Sequence, residues 1–263
     1  MKIAILSDIH SNVHALEAVW KDLDYAQPDE IYCLGDLVGY GAYPNDTIDF
    51  VRKNNITTVM GNYDDAVGFG RENCGCAYKN PDDVARSNTS LLWTKQNTSV
   101  EGKDYLREFP KSIRRELLGH RLLFVHGSPR STNEYLFADR RESTFERIAR
   151  MADTDVIFCG HTHLHYQKYV DGTMFINTGS VGKPKDGDFR AGYVLLILEA
   201  GKIHVDYRGI IGSLMKRTQN GSWATNQWPS LSGRRSGWRS INQSMCWSSS
   251  LTRSASSTLR TTT

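Results

Sequence analysis

Seven side chains able to bind divalent cations recur at one kind of address in this sequence, just past the end of a short apolar run. Asp8 and His10 follow residues 2–7, Asp36 follows 30–34, and Asn62 follows 57–60. His126 follows 122–125, and the pair His161 and His163 follows 156–159. A lone Asp-x-His or His-x-His is commonplace in exposed loops; recurrence at the ends of successive strands points instead to one shared site. Carboxylate, imidazole and amide donors without thiolate suit Mn²⁺, Fe or Zn²⁺ rather than Ca²⁺ or a structural zinc. Seven donors are too many for one tetrahedral ion and suit two ions sharing a bridging carboxylate. Gly35, Gly61, Gly127 and Gly160 flank the donors, where tight turns and close backbone approach are needed.

Such donors must be carried by a rigid scaffold, and the apolar patterning supplies one. Residues 2–7 read as a buried strand. Ser11 and Asn12 cap a helix, with Leu16, Val19, Trp20 and Leu23 at helical spacing as far as about residue 25. A strand at 30–34, a helix opened by Pro44 and a strand at 57–60 continue an alternation that predicts a parallel sheet with helices on its faces. In such sheets ligands bind at the carboxyl ends of the strands. Further on, helices are expected over 82–95 and 143–151. A hairpin is expected over 114–118 and 121–125, and a compact strand at 156–159. Strand candidates at 166–170, 173–176, 193–198 and 203–207, with turns at Asp171-Gly172 and Ala200-Gly201, read as a second, largely antiparallel sheet packed face to face on the first.

The 263 residues suffice for one domain with a real core. No run of about 18 apolar residues exists, so no membrane span is expected. The opening MKIAILSDIH has too short an apolar stretch for a signal peptide, and a cytoplasmic location is the expectation. Five cysteines make no disulfide framework; Cys74-Gly-Cys76 reads as a loop with two free thiols. Seven Lys/Arg and no acid lie beyond Met215, so the net charge of +3 leaves −4 on the rest, and an acidic body does not advertise nucleic-acid binding. The expected domain is 1–212. Residues 213–263, rich in Ser, Thr and Arg, read as a disordered basic tail, through which alone nucleic acid would be engaged. Nothing in the sequence signals an oligomeric state.

Asp8-x-His10, Gly35-Asp36, Gly61-Asn62-x-Asp64, Val125-His126-Gly127 and Gly160-His161-x-His163 together resemble the signature of calcineurin-like metallophosphoesterases. All five blocks come in that family's order. The surrounding stretches 8–12, 35–41, 126–130 and 177–182 look like a bacterial and archaeal branch often labelled with diadenosine-tetraphosphatase or protein-phosphatase names. The resemblance covers about residues 1–212. It implies an α/β fold of two mixed β-sheets packed as a sandwich and flanked by helices, in four α/β/β/α layers. It also implies two divalent metal ions, Mn²⁺ first among them: Asp8, His10 and His163 on one, Asn62, His126 and His161 on the other, and Asp36 bridging. The reaction implied is hydrolysis of a phosphodiester, phosphomonoester or nucleotide phosphoanhydride by a hydroxide held between the ions. The partner is a small phosphorylated substrate such as a nucleotide.

One departure stands out. Where the family carries His beside the Asn, this chain has Tyr63. That His helps protonate the leaving group or stabilise the transition state, and Tyr is a weak acid with a pKa near 10. Turnover of alkyl phosphates is therefore expected to be weakened, with good leaving groups less affected; packing beside the site is the other role for Tyr63. Asp64 is expected to orient residue 63 or a ligating His, and Arg130 to reach a substrate phosphate, with a surface ion pair as its alternative. The rival to an active enzyme is a degenerate member that binds metal and nucleotide, or a protein partner, with little turnover.

Overall fold

The computed structural model describes residues 1–211 apart from Lys79, and beyond them the short strands Met215–Arg217 and Trp223–Thr225, which form a two-stranded sheet. Residues Met1–Ala224 make one compact unit. The rest of the basic tail, expected to be disordered, lies outside the described residues.

The chain opens with β1 (Lys2–Leu6), α1 (Val13–Ala26), β2 (Glu30–Cys33), α2 (Pro44–Lys53), β3 (Thr57–Thr58) and α3 (Asn62–Gly68). Helices α4 (Pro81–Asn97) and α5 (Val100–Arg107) lead to the hairpin β4 (Ser112–Leu117) and β5 (His120–Val125). Then follow α6 (Glu142–Ala152), β6 (Val156–Cys159), β7 (Tyr166–Val170), β8 (Thr173–Asn177), β9 (Ala191–Glu199) and β10 (Lys202–Ile210). Local chemistry sets the helix starts: the Asn12 side chain accepts from the Ala15 amide to cap α1, and Pro44 stands at the start of α2.

Two five-stranded sheets result, ordered β10-β9-β1-β2-β3 and β4-β5-β6-β8-β7. Strand alternation sorts the apolar side chains into three layers. Ile3 and Ile5 of β1 meet Leu122, Phe124, Phe158 and Ile176 between the sheets. Ala4 and Leu6 turn the other way, onto Leu16, Val19 and Leu23 of α1. Leu123 and Val125 of the second sheet face Phe145 and Ile148 of α6. Full burial of each such side chain is worth about 1.5–3 kcal/mol, so the layers hold the sheets in fixed relation. The architecture is a helix-flanked α/β sandwich with both sheets mixed.

The strands at the end of the domain depart from the expected second antiparallel sheet. β9 joins the first sheet, pairing antiparallel with β1 in the register Ile3↔Leu196, while the second sheet includes the parallel pairs β5–β6 and β6–β8. The cause lies in β9 itself. Val194, Leu196 and Leu198 enter the layer between the sheets, and Tyr193 and Leu195 enter the helix side. A strand buried on both faces belongs inside a sheet, with a neighbour on each edge. The third strand is shorter than expected, because Met60 leaves the ladder to bond the Pro110 carbonyl. Helices α3 and α5, not expected from the sequence, pack on each other, and α3 begins at Asn62.

Candidate metal centre

Backbone hydrogen bonds lace the strand-end loops together. The Asp8 amide donates to the Gly35 carbonyl at 3.0 Å, the His10 amide to the Asp36 carbonyl at 2.9 Å, and the Gly160 amide to the His126 carbonyl at 2.7 Å. Close approach depends on glycine. A Cβ on Gly160 would lie 2.0 Å from Ser7 Oγ, and one on Gly61 would lie 2.2 Å from the Asp36 amide nitrogen. Asp8, His10, Asp36, His161 and His163 all take positive φ, between 51° and 62°. Asp and His tolerate that region better than most residues, yet it still costs about 1 kcal/mol or more each. The surrounding loops hold the donors in strained turns that aim them at a common point.

Two groups of donors emerge among the described residues: Asp8, His10 and His163, and Asp36, His126 and His161. In the first, His10 Nε2 and His163 Nε2 stand 3.2 Å apart, and Asp8 Oδ1 lies 3.6 Å from the former and 3.3 Å from the latter. The opposite ring nitrogens face carbonyls, His10 Nδ1 that of Val38 at 3.1 Å and His163 Nδ1 that of Lys183. With Nδ1 donating to a carbonyl, each neutral ring presents a bare Nε2 to the centre. In the second group, His126 Nδ1 meets the Leu34 carbonyl at 2.7 Å, and Asn62 Oδ1 lies 3.0 Å from His126 Nε2. Asn62 is held in that sense by donating its amide to the Cys74 carbonyl at 2.9 Å. Asp36 Oδ2 sits between the groups, 3.7 Å from His10 Nε2 and 3.5 Å from His126 Nε2.

The donor set fits divalent cations. Asp8 Oδ1 and His161 Nε2 are buried without a hydrogen-bond partner, which is costly unless something outside the chain satisfies them. Asp8 Oδ2, by contrast, accepts from Ser7 Oγ at 2.6 Å and from the His161 amide at 2.9 Å, so only Oδ1 is left facing inward.

The residues around these donors redraw three expectations. Asp64 orients neither residue 63 nor a histidine. Its carboxylate accepts from the amides of Asp36 at 2.7 Å, Gly61 at 3.0 Å and Leu37 at 2.9 Å, and so fixes the loop that carries Asp36. The Tyr63 hydroxyl meets Ser87 Oγ at 2.9 Å and its ring packs against Tyr40 and His10; the packing role is the one the geometry favours. Arg130 is paired with Glu134, through Nε at 3.0 Å and a terminal nitrogen, as its alternative role supposed. The cleft over the donors is also lined by Tyr40, Cys76, Tyr78, Tyr135 and Lys185, none of them given a role in the site by the sequence. The turn 177–182 is scaffolding: Asn177 donates to the Gly160 carbonyl, and Ser180 Oγ to that of Asp8.

Burial pushes His10 and His161 down to about 3 and His163 well below its ordinary value, so all three are neutral and ready to ligate. Burial, helped by Asp36, pushes Asp8 up to about 6. For His126 burial acts downward, but the Asp36 carboxylate outweighs it and raises the imidazole to about 9. Cation binding requires deprotonated ligands, so His126 at neutral pH, and Asp8 below about 6, must shed a proton. Metal affinity is therefore expected to rise with pH across about 6 to 9, with release of about one proton at pH 7. Titration calorimetry with Mn²⁺ in two buffers of different ionisation heat measures this. Zero release at pH 7 would mean that His126 is already neutral.

A two-sheet sandwich whose strand-end loops converge on these donors defines the metallophosphoesterase class. Residues 1–201 match the family model described as the calcineurin-like phosphoesterase superfamily domain, and the chain belongs to that superfamily. It is 33% identical over 220 residues to an uncharacterized protein of Methanocaldococcus jannaschii, covering 77% of this chain and 85% of the relative. Among solved structures, a metallophosphoesterase from Sphaerobacter thermophilus superimposes with a TM-score of 0.61 at 31% identity, over 81% of this chain and 89% of that one. A hypothetical protein from Pyrococcus horikoshii OT3 shares the fold with a TM-score of 0.70 at 21% identity, over 81% and 88% of the two chains.

Proposed function

We propose that this chain is a hydrolase of phosphate esters or anhydrides that works with two divalent cations, Mn²⁺ before Fe or Zn²⁺, in the cytoplasm. The observation carrying the proposal is the single Asp36 oxygen that faces both donor groups within 3.7 Å. Two cations bound there would lower the pKa of water and offset charge on the phosphoryl oxygens. Asp8, His10 and His163 would hold one and Asn62, His126 and His161 the other, with Asp36 shared. Asp64 keeps Asp36 in register. The test is a screen of phosphomonoesters, phosphodiesters and dinucleoside polyphosphates with Mn²⁺, before and after chelation. Turnover lost on chelation and regained with Mn²⁺ supports the proposal; no turnover of any substrate by the metal-loaded protein favours a relative that only binds.

Tyr63 bears on which esters are cleaved. Burial raises its pKa further above 10, and its hydroxyl is committed to Ser87, so it is a poor proton donor to a leaving group. Tyr63→Phe is expected to leave turnover of an aryl phosphodiester within about 3-fold, at a stability cost of about 1 kcal/mol for the lost hydrogen bond. Tyr63→His is expected to raise turnover of alkyl phosphates by about tenfold or more, and of aryl esters far less, because general acid catalysis helps poor leaving groups most. Steady-state kinetics on both ester types checks this, and equal changes on the two would sink the idea.

A further inference from the structure

The loop after the turn 177–182 carries two half-buried lysines, Lys183 and Lys185, and the backbone ties both to a metal-ligand candidate. The Lys183 carbonyl faces His163 Nδ1, and the Lys185 amide donates to the His163 carbonyl at 3.3 Å. Lys185 lines the same cleft as His10, Asp36, His161 and His163. The Lys183 ammonium lies 3.4 Å from the centroid of the Tyr40 ring, which itself packs edge-on against His10 at 4.9 Å. Cation–π contact of this kind holds a positive charge in place without cancelling it.

Neither ammonium has a carboxylate within ion-pair distance among the described residues, although acids are close in sequence. Asp186 is taken by His165 at 3.1 Å and Asp188 by Arg190 at 2.6 Å. Two half-buried ammonium groups with no carboxylate at ion-pair distance are unfavourable in the free protein, and a bound anion would offset that cost. In a body that is otherwise net acidic, Lys185 puts a positive charge in the lining of the cleft, and Lys183 adds one beside the Tyr40 wall.

We propose that Lys183 and Lys185 bind the phosphate adjacent to the one under attack, which makes phosphoanhydrides the substrate class of this chain. This rests on the hydrolase reading above. In the reaction water adds across a P–O–P link. The bridging oxygen departs with the phosphate held by the lysines, the water oxygen ends on the other phosphorus, and the displaced proton passes to solvent. Fixed ammonium groups neutralise charge as it develops on the departing oxygen, which removes the need for the proton donor that Tyr63 does not supply. A simple alkyl ester has no such second phosphate and gains nothing from the lysines.

The experiment compares the Mn²⁺-loaded full chain with the double variant Lys183→Gln/Lys185→Gln. Binding of inorganic tripolyphosphate, measured by calorimetry, is expected to weaken by about 10- to 100-fold, the worth of one or two charge-assisted contacts. The ratio of kcat/KM for a dinucleoside polyphosphate over that for an aryl phosphodiester is expected to fall at least about tenfold. Lys183→Arg/Lys185→Arg should keep both values near the parent's, which separates charge from folding. Equal tripolyphosphate binding in parent and Gln variant, or an unchanged ratio, overturns the proposal while leaving the hydrolase reading intact. Lysine-dependent tripolyphosphate binding without turnover of any substrate overturns the hydrolase reading, and the substrate assignment falls with it.

Discussion

Asp36→Asn is expected to lower turnover of any substrate by about 10³-fold or more, because it removes the one oxygen shared by both donor groups. The geometry makes the direction definite. Asp36 Oδ1 accepts from the Tyr63 amide at 2.8 Å, and an asparagine would keep its oxygen there. Its NH₂ group would then stand where Oδ2 stands now, facing His10 and His126. A donor with partial positive charge would replace an anion between the two donor groups. Metal content should therefore fall together with activity, which elemental analysis of purified protein reads directly. The fold should persist, since the substitution is isosteric and relieves repulsion that Asp36 exerts on Asp8 and Asp64. A variant that keeps both metals and full turnover would show that Asp36 is not the shared ligand.

How much of this was readable from the chain depends on what kind of information each feature needs. The donors were visible because each follows a short apolar run, and strand ends at a sheet rim are where such residues converge. The face assignments were not visible, because β1 and β5 carry continuous apolar runs, and only the fold sends Ile3 and Phe124 between the sheets and Ala4 and Leu123 toward the helices. Partner choice was not visible. Nothing local in β9 says that it lies beside β1 rather than β8; that is settled by burial on both its faces. Side-chain direction was equally hidden. Tyr63 points at Ser87, a residue of α4 whose proximity exists only in the folded chain. Lys183, Lys185, Tyr78 and Tyr135 sit in segments without periodicity, so no pattern gave them a place in the cleft. For Arg130 the sequence leaves a phosphate contact and an ion pair both open, because its partner Glu134 meets it across a loop, where spacing along the chain does not fix proximity.

Asp64→Asn is expected to be the more damaging substitution for stability, although Asp64 ligates nothing. Its two oxygens accept three buried backbone amides, those of Asp36, Gly61 and Leu37, and the residue itself is fully buried. An amide side chain has one acceptor oxygen, and its NH₂ would confront at least one of those donors. Each buried N–H left unpaired costs about 1–3 kcal/mol, so a loss of about 2–4 kcal/mol follows, or roughly 10 °C in Tm for a domain of this size. Because the Asp36 amide is among the three, the loop carrying Asp36 should loosen too. Added Mn²⁺ should then recover part of the lost Tm, since a ligand that binds only the folded state pulls the equilibrium toward it. Thermal melts of parent, Asp36→Asn and Asp64→Asn with and without Mn²⁺ distinguish the two aspartates. The first substitution should abolish the metal-induced rise in Tm while sparing the metal-free melt, and the second should lower the metal-free melt while keeping a rise. An Asp64→Asn protein that melts like the parent but takes up less metal would place Asp64 at the cations and refute its assignment to the backbone.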